Sequence, residues 1–140
     1  MSYTIKNLLQ FLIISFVIIR TNGFCFSFSE GRFQVHNSLP SNSPPLTLHC
    51  ASGDKELGFH NLTTNQDFNY NFCVNPYTLF FCHLWWNGKN IAFDVYRQEW
   101  ASKRCDRIRV CYWEARSDGI YSSIHRYPPT PTNVRKVFSW

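Results

Sequence analysis

Three kinds of feature are scarce or missing in this sequence of 140 residues. No stretch after residue 20 is long enough to cross a membrane, because a spanning helix needs roughly 20 consecutive apolar residues. No segment shows the apolar spacing of an amphipathic helix, and we find neither an internal repeat nor a linker. These absences argue against a helical membrane protein, a helical bundle or several domains, and they predict one small domain.

A strong net charge is also missing. The 14 Lys and Arg against 9 Asp and Glu give +5, and loss of Lys6 and Arg20 with an N-terminal leader would leave +3. So small an excess predicts only some attraction to acidic wall polymers or lipid headgroups. It does not provide the basic footprint of a nucleic-acid-binding protein, so no nucleic acid is expected as a partner.

The first positive signal is a short apolar run near the N-terminus. Lys6 precedes residues 8–19, which are apolar except for two polar side chains. A basic start, a short apolar middle and small residues further on are typical of a secretory signal peptide. We predict a signal peptide over residues 1–23, with cleavage as late as residue 29, and a folded domain over residues 30–140. The protein is thus expected to be secreted and extracellular, without stable membrane insertion.

Two further signals agree with export. In an oxidising compartment, a small domain with six cysteines usually uses them as disulfides. The sequon Asn61-Leu62-Thr63 predicts glycosylation of Asn61, which is meaningful only in a secreted protein. The six cysteines are Cys25, Cys50, Cys73, Cys82, Cys105 and Cys111.

Apolar and polar residues alternate with a period of two through most of the remaining chain, as in Phe68, Tyr70 and Phe72. Residues 78–86 are apolar on both faces, which predicts a central strand covered on each side. The Asn87-Gly88 pair predicts a tight hairpin turn. Eight or nine short strands separated by turn signals predict an all-β sandwich or small barrel.

The stretch HCASGDKELGFH, residues 49–60, contains the side chains of a metal site or a nucleophilic centre. Adjacent residues of a strand point to opposite faces, so His49 and Cys50 are poorly placed to bind one ion. A catalytic thiol needs an unpaired cysteine, which export disfavours. We therefore predict a cross-linked strand followed by a charged loop, with no metal, cofactor or enzyme activity. The carboxylates expected to be solvated or salt-bridged are Asp94, Glu114 and Asp118.

Aromatic residues make up 18% of the chain, which is high. The alternating pattern does not assign all of Trp85, Trp86, Trp100 and Trp140 to the core. A row of exposed rings would favour a carbohydrate-binding module, in which Trp86→Ala should abolish sugar binding. A small hydrolase, or an inhibitor of one, is a further class of function that the sequence leaves open.

Several ordered motifs carry a resemblance to a known family. They begin with Phe33-x-Val35-x-Asn37 and continue with LHC, SGDKELGFHNL, Phe68–Phe72, TLFFCHLWW, FDVY, Cys105, CYW, SDGIY and VRKVFSW, so that the match extends from residue 33 to residue 140. With these motifs the chain resembles the plant self-incompatibility protein family, which includes the poppy stigma S-protein and its homologues.

The resemblance implies a small, secreted, antiparallel β-sandwich stabilised by disulfides. It also implies an extracellular signalling ligand that a membrane receptor recognises, as in pollen–pistil recognition. A carbohydrate-binding or defence-related module is the alternative. The family's four core cysteines correspond to Cys50, Cys82, Cys105 and Cys111, in any of three pairings. Cys25 and Cys73 lie outside this set, so they form a third bridge or leave a free thiol.

Rigid strands present polar turn residues for recognition. We predict that the loops at residues 54–60, 86–90, 98–107 and 127–133 bind a membrane receptor, another extracellular protein or a cell-wall glycan. Lys103, Arg104, Arg107 and Arg109 form a basic patch that Asp106 interrupts. This patch would bind an acidic partner or remain solvated. The candidate contact residues are Asp54, Lys55, Glu56, Asn87, Lys89, Lys103 and Arg104.

Overall fold

The computed structural model describes residues 4–10, 12, 25, 29–106, 109–123 and 128–140. Residues 4–10 are helical and exposed. Within the described ranges, no helix combines the length and apolar character needed to cross a membrane. Most of the predicted signal segment lies outside the described residues, as do Arg107 and Tyr127 of two predicted loops.

From Glu30 onward, the described part of the chain forms nine strands and a short helix. They are β1 (Glu30–Asn37), β2 (Leu46–Ser52), β3 (Glu56–Leu62), β4 (Asp67–Cys73), β5 (Leu79–Trp86), β6 (Lys89–Arg97), α1 (Gln98–Arg104), β7 (Val110–Arg116), β8 (Gly119–Ser123) and β9 (Val134–Phe138). The all-β prediction is therefore confirmed.

The strands form two sheets that share one core. The five-stranded sheet has the order β4-β1-β7-β8-β9, and the four-stranded sheet has the order β3-β2-β5-β6. Core contacts such as Phe33 to Phe80 and Trp113 to Phe93 join the two sheets, with ring centroids 5.6 and 4.8 Å apart. The predicted β-sandwich is confirmed. One neighbouring pair, β1 and β7, runs parallel, which alternation along the sequence could not reveal.

The interior of the four-stranded sheet follows the alternation of β2. Leu46, Leu48 and Cys50 are fully buried, while the side chains between them lie on the outer face. Strand β5 is central, as predicted, because it lies between β2 and β6. The expected covering of both its faces is wrong, since Phe81 on the outer face is 38% exposed. An apolar run thus need not be buried on both sides.

The turn between β5 and β6 has the predicted geometry. Trp86 pairs with Lys89, so the loop contains only two residues. Asn87 and Gly88 have φ angles of 47° and 74°. Positive φ at both central residues matches the right-handed twist of the flanking strands, which is why Asn-Gly is favoured there.

Three disulfides use all six cysteines. The bridges are Cys25–Cys73, Cys50–Cys82 and Cys105–Cys111. The first ties the segment before β1 to the end of β4. The second joins directly opposite residues of β2 and β5 in the interior, and the third ties the end of α1 to β7. Each bridge contributes about 2–4 kcal/mol in typical domains, mainly by restricting the unfolded chain.

Two predicted loops differ from the structure. The loop predicted over residues 54–60 ends early, because β3 begins at Glu56. An irregular register opposite His49 and Ala51, with Gly58 at a φ of 77°, interrupts the alternation in this edge strand. The loop predicted over residues 98–107 begins with α1, whose seven residues are too few to show a helical stripe.

Candidate functional site

The register of the strands places three connections at one end of the sandwich. Ser52 lies opposite Phe80, and Leu79 lies opposite Arg97, so the β2–β3 turn and the start of α1 flank the start of β5. We call residues 53–55, residues 74–78 and α1 the loop end. Two of the predicted recognition loops therefore begin side by side.

A cleft of about 1170 Å³ opens at the loop end. It lies between the β2–β3 turn, the end of β4 and the connection from β4 to β5, and the bridge from Cys25 to Cys73 forms part of its wall. The predicted contact residues Asp54 and Lys55 line it. Strand pairing and the disulfide from Cys25 to Cys73 therefore restrict the movement of its walls.

The β2–β3 turn is held in one conformation. The Ser52 backbone N–H donates to the Lys55 carbonyl at 2.8 Å, and the Ser52 hydroxyl donates to Asp54 at 3.0 Å. The Lys55 ammonium lies 5.6 Å from the centroid of the Tyr70 ring. Contact with the Tyr70 hydroxyl raises the pKa of Lys55, so the cleft keeps this positive charge at neutral pH.

Sequence reasoning missed Tyr77, which lines the same cleft and is 92% exposed. Its backbone N–H donates to the Asn75 side chain at 2.8 Å, and the Asn75 N–H donates to the Thr78 hydroxyl at 2.8 Å. These bonds form a closed turn that presents the tyrosine ring to solvent. The Asn75-Pro76 pair is a turn signal that could have revealed it.

The helix α1 adds positive charge beside the cleft. Lys103 and Arg104 are exposed in its last turn, and the Arg104 guanidinium lies 5.4 Å from the centroid of the Trp100 ring. At the helix start, Arg97 bonds Asp94 at 2.7 Å, and this carboxylate raises the pKa of Arg97. Neither Lys103 nor Arg104 lines the cleft. The helix adjoins it at its first residue, where the Gln98 N–H donates to the Thr78 carbonyl at 3.0 Å.

Of the three remaining predicted contact residues, Glu56 begins β3 next to Lys55 without lining the cleft, and the other two lie far from the loop end. Asn87 and Lys89 belong to the β5–β6 hairpin at the opposite end of the four-stranded sheet. The Lys89 ammonium lies 5.7 Å from the centroid of the Trp86 ring. The predicted contact residues therefore fall into two groups that a small partner could not touch together.

The stretch from His49 to His60 forms a strand, a turn and an edge strand. The His49 imidazole bonds the Glu56 carboxylate, whereas Cys50 faces the interior in its disulfide. The His60 Nε2 donates to the Leu57 carbonyl at 2.7 Å. Hydrogen bonds from the Gly58 N–H and from His49 hold the pKa of Glu56 below its usual range. Among the residues that the structure describes, no three His, Cys, Asp or Glu side chains converge to hold a metal.

The outer face of the five-stranded sheet is a polar network. One row of register partners crosses all five strands, and we call it the polar face: Asp67, His36, Glu114, Tyr121 and Lys136. His36 bonds Asp67 at 2.6 Å. Glu114 accepts from the Tyr112 hydroxyl at 3.0 Å and from Arg116 Nε at 2.7 Å.

The charge state of Glu114 reflects this network. Burial alone would raise the pKa of Glu114, but hydrogen bonds from Arg116, Ser38 and Tyr112 outweigh it and hold the pKa below its usual range. Burial, together with the adjacent carboxylate, raises the pKa of Tyr112. At neutral pH the pair is therefore a carboxylate and a neutral phenol.

The outer face of the four-stranded sheet carries rings instead. We call Phe59, His49, His83 and Trp85 the aromatic shelf. The Phe59 ring lies 4.6 Å from His49 and 5.9 Å from Trp85, and His83 stacks on Trp85 at 3.8 Å. Trp86 points inward, where it packs 6.0 Å from Trp140. A test of sugar binding at Trp86 would therefore probe the core, and Trp85 is the tryptophan of this pair that faces outward.

The fold and its cross-links define a small, disulfide-stabilised β-sandwich. A model of the family "Plant self-incompatibility protein S1" matches residues 32–140. The chain belongs to this plant self-incompatibility family.

Known relatives agree with this assignment. S-protein homolog 5 of Arabidopsis thaliana is 37% identical over 78 residues, 54% of this chain and 59% of that protein. S-protein homolog 6 of the same plant is 40% identical over 98 residues, 68% of this chain and 67% of that protein. The chain thus spans less than two thirds of the length of S-protein homolog 5.

A solved structure has the same fold. It is described as that of SPH (Self-Incompatibility Protein Homologue) proteins, a widespread family of small, highly stable, secreted proteins from plants. Its TM-score is 0.56 at 21% identity, over 75% of this chain and 93% of that chain. At this identity the similarity establishes the fold alone.

Proposed function

We propose that this protein is a secreted signalling ligand whose loop end binds a cell-surface receptor or another extracellular protein. The observation that carries the proposal is the cleft at the loop end, where Asp54, Lys55, Tyr70 and Tyr77 converge on a cross-linked scaffold. Because strands and a disulfide hold this cleft in place, little conformational entropy is lost when a partner orders it. Pollen–pistil recognition is the setting that family membership suggests for this binding.

Export is supported by the cysteines, the apolar N-terminal run and the secreted SPH proteins that share the fold. The bridge to Cys73 also bears on signal cleavage. Cleavage after Gly23 retains Cys25 for this bridge, whereas cleavage after Ser29 would remove Cys25 and leave Cys73 unpaired. We therefore propose Gly23 as the cleavage site, which N-terminal sequencing of the secreted protein tests.

The chemistry of the loop end suggests the character of the partner. Lys55 keeps its charge in the cleft, and Lys103 and Arg104 are two exposed cations on α1, which also belongs to the loop end. An acidic surface on the partner would complement these cations and speed association. Tyr77 offers a large ring with a polar tip, a residue type that is enriched among binding hot spots.

The proposal is for binding without catalysis. The disulfide of Cys50 removes the thiolate that a Cys-His nucleophilic pair would need, so neither His49 nor His60 has a free cysteine to activate. Assay of the purified protein against peptide, ester and glycoside substrates should give no turnover above that of a heat-denatured sample.

The test is quantitative binding of the labelled, secreted protein to intact plant cells. We expect saturable binding that Lys55→Glu and Tyr77→Ala each weaken by about thirtyfold or more, because loss of a hot-spot side chain typically costs at least 2 kcal/mol. Lys89→Glu is the matched control, since it makes the same charge change at the opposite end of the sheet. Equal losses for Lys55→Glu and Lys89→Glu, or no loss for either loop-end variant, would refute a site at the loop end.

A further inference from the structure

The aromatic shelf lies beside the sequon. Register partners place Asn61, Thr47 and Trp85 in one row across β3, β2 and β5. Phe59 precedes Asn61 by two residues in β3, so both side chains lie on the same face of the sheet. Leu62, the next residue, is buried in the core, which fixes Asn61 on the outer side.

Phe59 is unusually placed for an apolar residue. It is 70% exposed, on an edge strand, although it touches both His49 and Trp85. Partly exposed rings continue from it across β2 and β5. A contiguous apolar patch of this kind on a small exported domain generally marks a surface that something covers.

The Asn61 side chain is oriented for modification. The Thr47 hydroxyl donates to Asn61 Oδ1 at 2.8 Å. This bond uses the amide oxygen of Asn61, and Nδ2, on the other side of the amide, takes no part in it. An N-linked sugar is attached at Nδ2. The hydrogen bond from Thr47 can therefore persist in the glycosylated protein and hold the first sugar over the sheet.

We propose that Asn61 carries an N-glycan and that its first N-acetylglucosamine packs on Phe59, with the following sugars extending over Trp85. This inference rests on the export stated under the proposed function. In the transfer, Asn61 Nδ2 loses a proton and bonds to C1 of the sugar. The bond from C1 to the phosphate of a polyprenyl diphosphate donor breaks, and the lipid diphosphate leaves.

The geometry and chemistry fit a sugar in this position. Two residues along a strand span about 6.6 Å, which brings the ring of Phe59 within reach of the sugar bonded to Asn61. One face of the N-acetylglucosamine ring presents only C–H groups, which gain dispersion contacts and lose water on an aromatic ring. The glycan would thus cover the exposed ring of Phe59, whereas the neighbouring imidazoles of His49 and His83 already bond Glu56 and Asn90.

The experiment compares glycosylated and unglycosylated protein secreted from a eukaryotic host. Thr63→Ala removes the sequon but keeps Asn61 and its bond to Thr47. Glycosylated protein whose glycan has been trimmed to a single N-acetylglucosamine should have a Tm about 4 °C or more above that of the Thr63→Ala variant. In a Phe59→Ser background this increment should fall below half. The matched control is Phe81→Ser, on the same face but two strands from Asn61, which should leave the increment intact.

A second readout is independent of stability. Ring currents from Phe59 should shift proton resonances of the first sugar upfield in NMR spectra, and Phe59→Ser should return them to their free values. The same increment in Phe59→Ser and wild type, or unshifted sugar resonances, would overturn the packing.

Occupancy of Asn61 is measured by mass spectrometry in both the medium and the cell fraction. Exported protein with a bare Asn61 overturns the glycan proposal and leaves the proposed function standing. A protein retained in cells with a bare Asn61 contradicts both. Binding of free chitobiose by Thr63→Ala protein, lost on Trp85→Ala, would show that the aromatic shelf takes an external glycan and would overturn covering by the protein's own.

Discussion

The two outer faces of the sandwich differ in the side chains that they present to solvent. On the five-stranded sheet, Glu114 and Tyr112 are buried, and their polar groups bond each other and Arg116. On the four-stranded sheet, the most exposed side chain of the aromatic shelf is Phe59, at 70%. On the polar face, the buried polar groups find their hydrogen-bond partners within the protein. The aromatic shelf instead has apolar surface in contact with solvent.

This difference separates side chains that stabilise the fold from side chains that determine the character of the surface. A buried carboxylate without partners is costly, so the polar face must remain intact for the fold to persist. An exposed ring contributes little to folding, so the aromatic shelf can change without unfolding the domain. The contrast predicts that mutations on the polar face and in the core should lower stability, while those on the shelf of the unglycosylated protein should alter surface properties alone.

The largest effects are expected from the disulfides that close long loops, such as the bridge inside the four-stranded sheet. Replacing Cys50 and Cys82 together by Ala should lower the free energy of unfolding by about 4 kcal/mol, from loop-closure entropy for their separation of 32 residues. The bridge from Cys105 to Cys111 spans only 6 residues, and its removal should cost about 2 kcal/mol. Urea unfolding of both double variants measures the difference, and the reverse order would contradict this account.

The next largest effect is expected on the polar face. Glu114→Leu removes the acceptor of the Tyr112 hydroxyl and of Arg116 Nε, and should cost about 1–3 kcal/mol because their donors lose a buried partner. Phe59→Ser is the matched change on the other sheet and should cost less than about 0.5 kcal/mol. Equal destabilisation by the two variants would remove the distinction between the faces.

The pH dependence of stability should also arise on the polar face. Because the pKa of folded Glu114 is lowered, its contribution is fully present above the pKa of the unfolded chain. It should be lost as pH falls through the folded pKa. Urea midpoints between pH 7 and pH 3 should therefore decrease toward acid, and Glu114→Gln should flatten this decrease. A decrease as steep in Glu114→Gln as in wild type would show that other carboxyls are responsible.

The smallest effect on stability is expected at the aromatic shelf, where surface properties should change instead. Phe59→Ser and Trp85→Ser, each combined with Thr63→Ala to keep the chain unglycosylated, should reduce retention on a hydrophobic column. Unfolding midpoints should barely move. The control is Tyr77→Ser in the same background, which removes an exposed ring from the loop end. Unchanged retention after both shelf substitutions would mean that these rings do not form the apolar surface.

Alternation along the sequence predicted the strands and the sandwich because strands such as β1 and β2 have one buried face, although β7 is buried at six successive residues. It could not indicate the parallel pairing of β1 with β7, since side-chain period is the same in either direction. Disulfide pairing was open for a related reason. Cys50 meets Cys82 only after β2 and β5 are aligned.

The candidate site was predicted only in part. Asp54 and Lys55 follow a turn signal, so polar composition identified them, and the structure places both in the cleft. Tyr77 was missed because it lies in the connection between β4 and β5, where no alternating pattern in the sequence indicates whether a ring is exposed. The tandem Trp85 and Trp86 show the same limit, because only the strand register decides which one faces outward.

The central claim, that the loop end binds an extracellular protein, is tested most directly by site-specific photocrosslinking on intact plant cells. A photoreactive amino acid at position 77 should form a protein adduct that an excess of unlabelled wild-type protein abolishes. The same group at position 89, at the opposite end of the sheet, should form no such adduct. Competed adducts at position 89 alone, or none at position 77, would contradict the account.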